Sequence, residues 1–367
     1  MTTVRFEEAR AADDPELRRL MARNEMPGTI SLSFQREPSY FFATGLQGDD
    51  AQVTVARDPA DGEIIGVATR ALRSAYLNGE VRPLGYLSDL RLERRHRGGT
   101  LLARGYRYLR RLHDAGGAPF YFTVIAEANR HALSLLPSRR AGLPVYRDLG
   151  RVCSHAINLG RPRREPIGDW QIRRGTADEA EAIADCLARN HSRRQLAPVV
   201  TAEELRTGRW RDLRPDCFYL GIRGGRVVGV AAAWDQSAFK QTVVTRYRGA
   251  LRLLKPWIDA AAPLLGTGRL PTPGLPLRSF YAGLIAVDHD DLTLLRALLL
   301  RMHNDAWGSG YRYFLLGLHE RDPLASVYRF FRVTRFSGRL FAVHWEDGAT
   351  AVEALDDRPP YVELGML

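Results

Sequence analysis

Arg97, Gly98, Gly99 and Thr100 stand between a strand-like run, Tyr86-Leu87-Ser88-Asp89-Leu90-Arg91-Leu92, and a helix-like run that begins at Thr100. Glycines let backbone N–H groups approach a phosphate closely, and a helix N-terminus adds free N–H groups and a positive field. The layout is that of a pyrophosphate cradle placed directly after an exposed strand backbone. A plain strand-to-helix turn is the other reading of the same residues.

The elements that must hold such a loop occur twice. Asp13-Asp14-Pro15-Glu16 opens a capped helix that ends near Ala22-Arg23-Asn24, and Thr176-Ala177-Asp178-Glu179 opens another that ends near Ala188-Arg189-Asn190. Gly62-Glu63-Ile64-Ile65-Gly66-Val67-Ala68 is matched by Gly225-Arg226-Val227-Val228-Gly229-Val230-Ala231, each at the end of a glycine-containing hairpin turn. Then follow a strand, a helix and a strand in each half: Tyr86–Leu92, Thr100–Ala115 and Phe120–Ile125, then Phe280–Val287, Leu292–Ala306 and Tyr311–Leu318. A crossover of this length predicts a parallel strand pair. The fold class is α+β (α/β), as two tandem units, each a mixed central sheet flanked by helices. The units span residues 1–160 and 169–347, joined by a Pro- and Gly-rich linker at Gly160–Gly168 and followed by a tail at 348–367. An extra stretch at Thr245–Arg278 contains a basic amphipathic segment, Tyr247–Leu265, which reads as a surface elaboration or as a lid.

The 367 residues carry 45% hydrophobic and 26% charged side chains, the balance of a soluble globular protein. No apolar run is long enough to span a membrane, and the N-terminus lacks a signal pattern. The three cysteines, Cys153, Cys186 and Cys217, are odd in number and widely spaced, which argues against a disulfide framework and for a reducing cytoplasm. The nine histidines show no metal-ligand spacing, so no metal is expected. Net charge is +11, almost all from arginine, with only Lys240 and Lys255 as lysines. Such a field attracts a phosphorylated cofactor. The arginines are scattered rather than striped, so nucleic acid is not the expected partner.

This order of elements resembles the GCN5-related N-acetyltransferase fold, present twice. Leu92-Glu93-Arg94-Arg95-His96-Arg97-Gly98 sits where that family has its Val-x-Pro-x-x-Arg-Gly run, and Ala126-Glu127-Ala128-Asn129-Arg130-His131-Ala132 fits the end of its fifth strand and its Asn-x-x-Ala helix start. The later family glycines fall on Thr100 and Leu102, or the frame shifts by two residues and ends on Thr100. In the second half the equivalent loop, Val287-Asp288-His289-Asp290-Asp291-Leu292, has no glycine and three carboxylates, which would repel a pyrophosphate. Its fifth strand leads to Asp322-Pro323-Leu324-Ala325-Ser326-Val327-Tyr328, which resembles the family's Asn-x-x-Ala-x-x-Tyr.

The resemblance implies an N-acyltransferase that uses acetyl-CoA, or another acyl-CoA, and an amine acceptor on a small molecule or peptide. It places the cofactor in the first half, against Leu90, Arg91, Leu92, Arg97, Gly98, Gly99, Thr100, Leu101 and Asn129. Amine acylation needs a base, a polarised carbonyl and a proton for the thiolate. Asp89 is the first candidate base, with a pKa expected to be raised by apolar strand neighbours. Glu127 is the second, and Tyr146 or Tyr328 is the candidate acid. The acceptor would be read by Pro27–Tyr40 and Thr245–Arg278. A homodimer is open. Two alternatives stand: an aminoacyl- or peptidyl-transferase using charged RNA, and a non-catalytic acyl-CoA sensor.

Overall fold

The hairpin that carries the site turns at Asn78-Gly79, where both residues have positive φ (53° and 85°), the geometry of a two-residue turn matched to strand twist. In the computed structural model, which describes residues 4–26, 28–97, 100–138, 140, 142–261 and 270–367, this hairpin has arms of 14 and 13 residues. The first half runs β1 (Arg5–Glu8), α1 (Asp14–Arg23), β2 (Ile30–Gln35), α2 (Tyr40–Thr44), β3 (Asp50–Arg57), β4 (Ile64–Leu77), β5 (Glu80–Leu92), α3 (Leu101–Asp114), β6 (Tyr121–Ala126), α4 (Arg130–Leu135) and β7 (Val145–Asn158). The second runs β8 (Gln171–Arg174), α5 (Ala180–His191), β9 (Ala197–Pro198), α6 (Ala202–Thr207), β10 (Phe218–Arg223), β11 (Arg226–Trp234), β12 (Gln241–Tyr247), α7 (Ala250–Ala261), β13 (Ser279–Val287), α8 (Leu292–Asp305), β14 (Tyr313–His319), β15 (Val333–Thr334), β16 (Ser337–His344) and α9 (Ala349–Glu353).

Among the described residues fourteen strands form one mixed sheet, ordered β1-β3-β4-β5-β6-β16-β7-β14-β13-β11-β10-β8 along its main path. The two crossovers expected from sequence are present as the parallel pairs β5·β6 and β13·β14. Corresponding elements of the two halves behave alike. Asn24 and Asn190, the asparagines of the repeated triplet, each donate a side-chain bond to the carbonyl four residues back, at 2.9 Å.

The sheet does not stop at the linker. Strand β16, late in the second half, lies between β6 and β7 of the first, and β7 in turn pairs with β14 of the second. The division at 160–169 marks the repeat in sequence, while the two halves share these strands in space. The segment at 348–367, expected to be a tail, has its last stretch, 360–366, packed into the interior. Tyr361, Val362, Glu363 and Met366 are buried, and burying an apolar side chain such as Val362 or Met366 contributes ~1.5–3 kcal/mol.

The extra stretch is part strand. Gln241–Tyr247 pairs antiparallel with β2, from Gln241↔Gln35 to Tyr247↔Ile30, as a separate two-stranded ribbon. The expected amphipathic helix therefore starts at Ala250 rather than Tyr247, and 262–265 lie outside the described residues. The side chain of Gln241 fixes the base of the ribbon: it accepts from Glu37 N (3.0 Å) and donates to Glu37 O (2.9 Å). Just below that base lie Arg36 and Lys240.

Candidate active site

Strands β5 and β6 pair only at Gly85↔Tyr121 and Tyr86↔Phe122. A Cβ on Gly85 would fall 2.0 Å from the Tyr121 ring, so only glycine admits this approach. Beyond it the strands part, β5 staying with β4 and β6 with β16. In the opening, β5 bulges: Val67 pairs with Arg91 and Thr69 with Ser88, leaving Asp89 and Leu90 opposite Ala68, with Asp89 at φ 52°. The second half repeats this bulge at Leu284, φ 45°.

The two openings are filled differently. In the second half, the amide of Leu284 donates to Glu363 Oε2 (2.6 Å) and that of Ile285 to the Tyr361 hydroxyl (3.0 Å), so the chain's own C-terminal segment occupies the bulge. In the first half, no side chain among the described residues accepts from Leu90 or Arg91. The helix starts differ in the same sense. Asp291 caps α8 by accepting from Thr293 N (3.0 Å) and Leu294 N (3.1 Å). Thr100 stands at the cap of α3 and makes no side-chain cap bond. A 14-residue helix with an uncapped N-terminus presents donors and positive field to an anion. Gly98 and Gly99, the glycines of the expected cradle, lie outside the described residues.

A polar cluster lines the face of β4 and β5 beside the first bulge. Arg36 Nη2 donates to Asp89 Oδ1 (3.4 Å), and the Tyr40 hydroxyl donates to Asp89 Oδ2 (3.3 Å) and meets Thr69 Oγ1 at 3.1 Å. Tyr40 is held there by α1, whose Asp14 Oδ1 accepts from Tyr40 N (2.9 Å). Lys240 Nζ donates to the backbone oxygens of Gly365 (3.2 Å) and Leu367, and lies 5.2 Å from the centroid of the Tyr281 ring. Arg73 is 6% exposed and Glu363 1%. Desolvation, helped by the field of Arg36 and opposed by Asp89 and Glu363, pushes the Lys240 ammonium down to about 7. Burial raises the Glu363 carboxyl above its ordinary range against three hydrogen bonds and the field of Arg73.

The residues singled out in sequence fall in several places. Asp89 is at the bulge, its side chain 7% exposed. Its pKa moves opposite to the expectation. Burial would raise it, but Arg36, Arg91, Lys240 and the Tyr40 hydroxyl together hold it below the carboxylate range. Leu90, Arg91 and Leu92 line the same opening. Arg97 donates from Nε to Leu92 O (3.0 Å) and from Nη2 to Asn24 Oδ1 (3.3 Å), tying the loop to α1. Leu101 begins α3. Asn129 caps α4 by accepting from Ala132 N (3.2 Å), and Asp322 does the same in the second half for Leu324 N (2.9 Å).

Three other candidates are engaged elsewhere. Glu127 accepts from Arg151 Nε at 2.8 Å, which lowers its pKa. Tyr146 shares a short hydrogen bond with Tyr106 of α3, and burial together with that partner raises its pKa well above the tyrosine range. The Tyr328 hydroxyl bonds the carbonyls of Cys153 (2.6 Å) and Leu316 (2.9 Å), fastening its helical turn to β7 and β14. Tyr328→Phe is therefore expected to cost ~1–2 kcal/mol of unfolding free energy and to leave turnover unchanged. A hundredfold loss of kcat at full stability would instead make that hydroxyl catalytic.

The second half's carboxylate-rich loop is neutralised from within. Arg189 pairs bidentately with Asp288 (2.9 and 3.0 Å), Arg193 with Asp290 (2.9 Å), and buried Arg194 with both Asp290 and Asp322. Sequence reading took in Arg36 and Tyr40 only as part of the Pro27–Tyr40 acceptor segment and missed Arg73, Lys240 and Glu363, because long-range pairing brings them together. Among the described residues no group of metal-ligating side chains is present, and no helix is long and apolar enough to cross a membrane.

Solved structures share this architecture. A GCN5-related N-acetyltransferase from Sphaerobacter thermophilus aligns over 99% of this chain and 98% of its own, at 15% identity and TM-score 0.54. Saccharomyces cerevisiae N-myristoyltransferase with bound myristoyl-CoA aligns over 94% of this chain and 83% of its own, at 10% identity and TM-score 0.59. A glucosamine N-acetyltransferase region in a fungal multi-domain β-N-acetylglucosaminidase covers 93% of this chain but 38% of that protein, at 13% identity and TM-score 0.63. At such identities the likeness is one of fold. No family model matches the sequence, and no curated protein does.

Proposed function

We propose that this chain, which has the GCN5-related N-acetyltransferase fold, is an acyl-CoA-dependent N-acyltransferase that moves an acetyl group to an amine on a small molecule or peptide. The observation that carries the reading is the open bulge of β5, set between diverging parallel strands and followed by an uncapped helix. The equivalent opening in the second half is filled by the chain itself. The first half would hold the cofactor and the second would close the acceptor side.

Acyl-CoA would supply an activated thioester carbonyl. The N-terminus of α3, from Thr100 and Leu101, would hold its phosphates, and the backbone of Leu90 and Arg91 would orient the acyl end. The acceptor amine must lose a proton before it attacks. Asp89, held below the carboxylate range, is a weak base for that task. Lys240, whose ammonium burial pushes down to about 7, is the candidate base in its place. We therefore assign Asp89 to hold Arg36 and to orient the amine, and Lys240 to take its proton. As the new N–C bond forms and the C–S bond breaks, the thiolate needs a proton. Tyr146 is the candidate donor; burial against Tyr106 makes it a reluctant acid, so its hydroxyl would have to exchange the Tyr106 bond for the thiolate.

Acetyl-CoA titrated into the full chain is expected to bind and to raise its melting temperature. Absence of both heat and thermal shift at millimolar acetyl-CoA, and at millimolar myristoyl-CoA in detergent, would end this reading.

A further inference from the structure

Arg73 lies on β4, on the same face as Thr69, and its register partner on β5 is Leu84. Its guanidinium sits 5.0 Å from the centroid of the Phe122 ring, which itself stacks on Tyr86 at 4.6 Å. It is 6% exposed and makes no ion pair among the described residues. One of its nitrogens, Nη1, donates to the thioether sulfur of Met366 (2.9 Å). The other two, Nε and Nη2, are buried and unpaired, and so is Nε of Arg36. A buried unpaired guanidinium is costly to maintain. The two free atoms are not arbitrary: Nε and one Nη form the edge of the fork that meets a planar carboxylate with two parallel hydrogen bonds.

We propose that the acceptor is an amine that also carries a carboxylate, and that this carboxylate docks on the Nε–Nη2 edge of Arg73 with Arg36 Nε as a further donor. The word acceptor rests on the N-acyltransferase reading; the carboxylate rests on Arg73 and Arg36. Amine and carboxylate would then be read from one strand face, the amine at the β5 bulge and the carboxylate further along β4. The site selects amino-acid-like molecules over plain amines, because the uncharged analogue leaves buried donors unpaired.

The test is binding to the full chain without any acyl-CoA, so it is separate from the acetyl-CoA titration. Glycine, β-alanine, γ-aminobutyrate, lysine and glycylglycine are each compared with the corresponding carboxamide by calorimetry. At least one carboxylate is expected to bind about 10- to 100-fold more tightly than its amide. Arg73→Lys, which keeps the charge and loses the fork, is expected to erase most of that preference while circular dichroism stays unchanged. Equal affinities in each pair, no binding by any carboxylate, or an undiminished preference in Arg73→Lys would overturn the proposal. Tighter binding of phosphoethanolamine than of every carboxylate would overturn the assignment to a carboxylate. Should Arg73→Lys fail to fold, the acid–amide comparison on the unaltered chain decides alone.

Discussion

Lys240→Met is expected to lower kcat/KM by about 10²–10⁴-fold, the usual worth of a positioned base, and to abolish the rise of activity with pH. With the native lysine, activity should climb through about 7 and level off, because only the neutral amine accepts a proton. Lys240→Arg should lose as much activity, since a guanidinium stays charged at any working pH. Stability supplies an independent check. An unfolded lysine binds its proton up to about 10.5, whereas the folded one releases it near 7. Between those values the unfolded chain binds more protons, so stability rises with pH across that window, and the full cost is present below 7. The difference in urea midpoint between the native chain and Lys240→Met should thus shift in favour of the native chain as pH goes from 6 to 10. A pH–rate profile unchanged by Lys240→Met would return the role of base to another group.

Lys240 also shows what the sequence held in plain view. The chain has 53 basic residues and only two lysines. The other lysine, Lys255, pairs with Asp259, so it is the buried setting of Lys240 that distinguishes the two. Local patterning revealed the hairpins, the two crossovers and the asymmetry between the glycine loop and the carboxylate loop, because each is written within some thirty residues. It did not reveal the insertion of β16 between β6 and β7, since alternation in a strand says which face is buried but not which neighbour it meets. It also missed the seating of Glu363 at Leu284, some eighty residues away in sequence. The opposite shift of Asp89 has the same origin. Its apolar neighbours are local, while its partner Arg36 lies at the base of a ribbon whose other strand comes from the second half.

Arg194→Met should destabilise the chain by about 3–5 kcal/mol, because removing one partner of a buried ion pair strands the other. Arg194 and Asp322 have side chains 7% and 1% exposed, and Asp290, 16% exposed, leans on the same guanidinium. Methionine fills the volume but leaves two carboxylates facing each other near the close of the β13–β14 opening. Urea unfolding should therefore show a lowered midpoint, and pairing Arg194→Met with Asp322→Asn should recover part of it. Asparagine keeps the cap on Leu324 N, as Asn129 does in the first half, without the charge. Where the variant remains folded, its affinity for acetyl-CoA should match that of the native chain. The second opening is filled by the protein's own ion pair and C-terminal segment, so loosening it costs stability without touching the bulge at Asp89. A loss of acetyl-CoA affinity larger than the loss of folded protein would place the cofactor in the second half and reverse the assignment of the two openings.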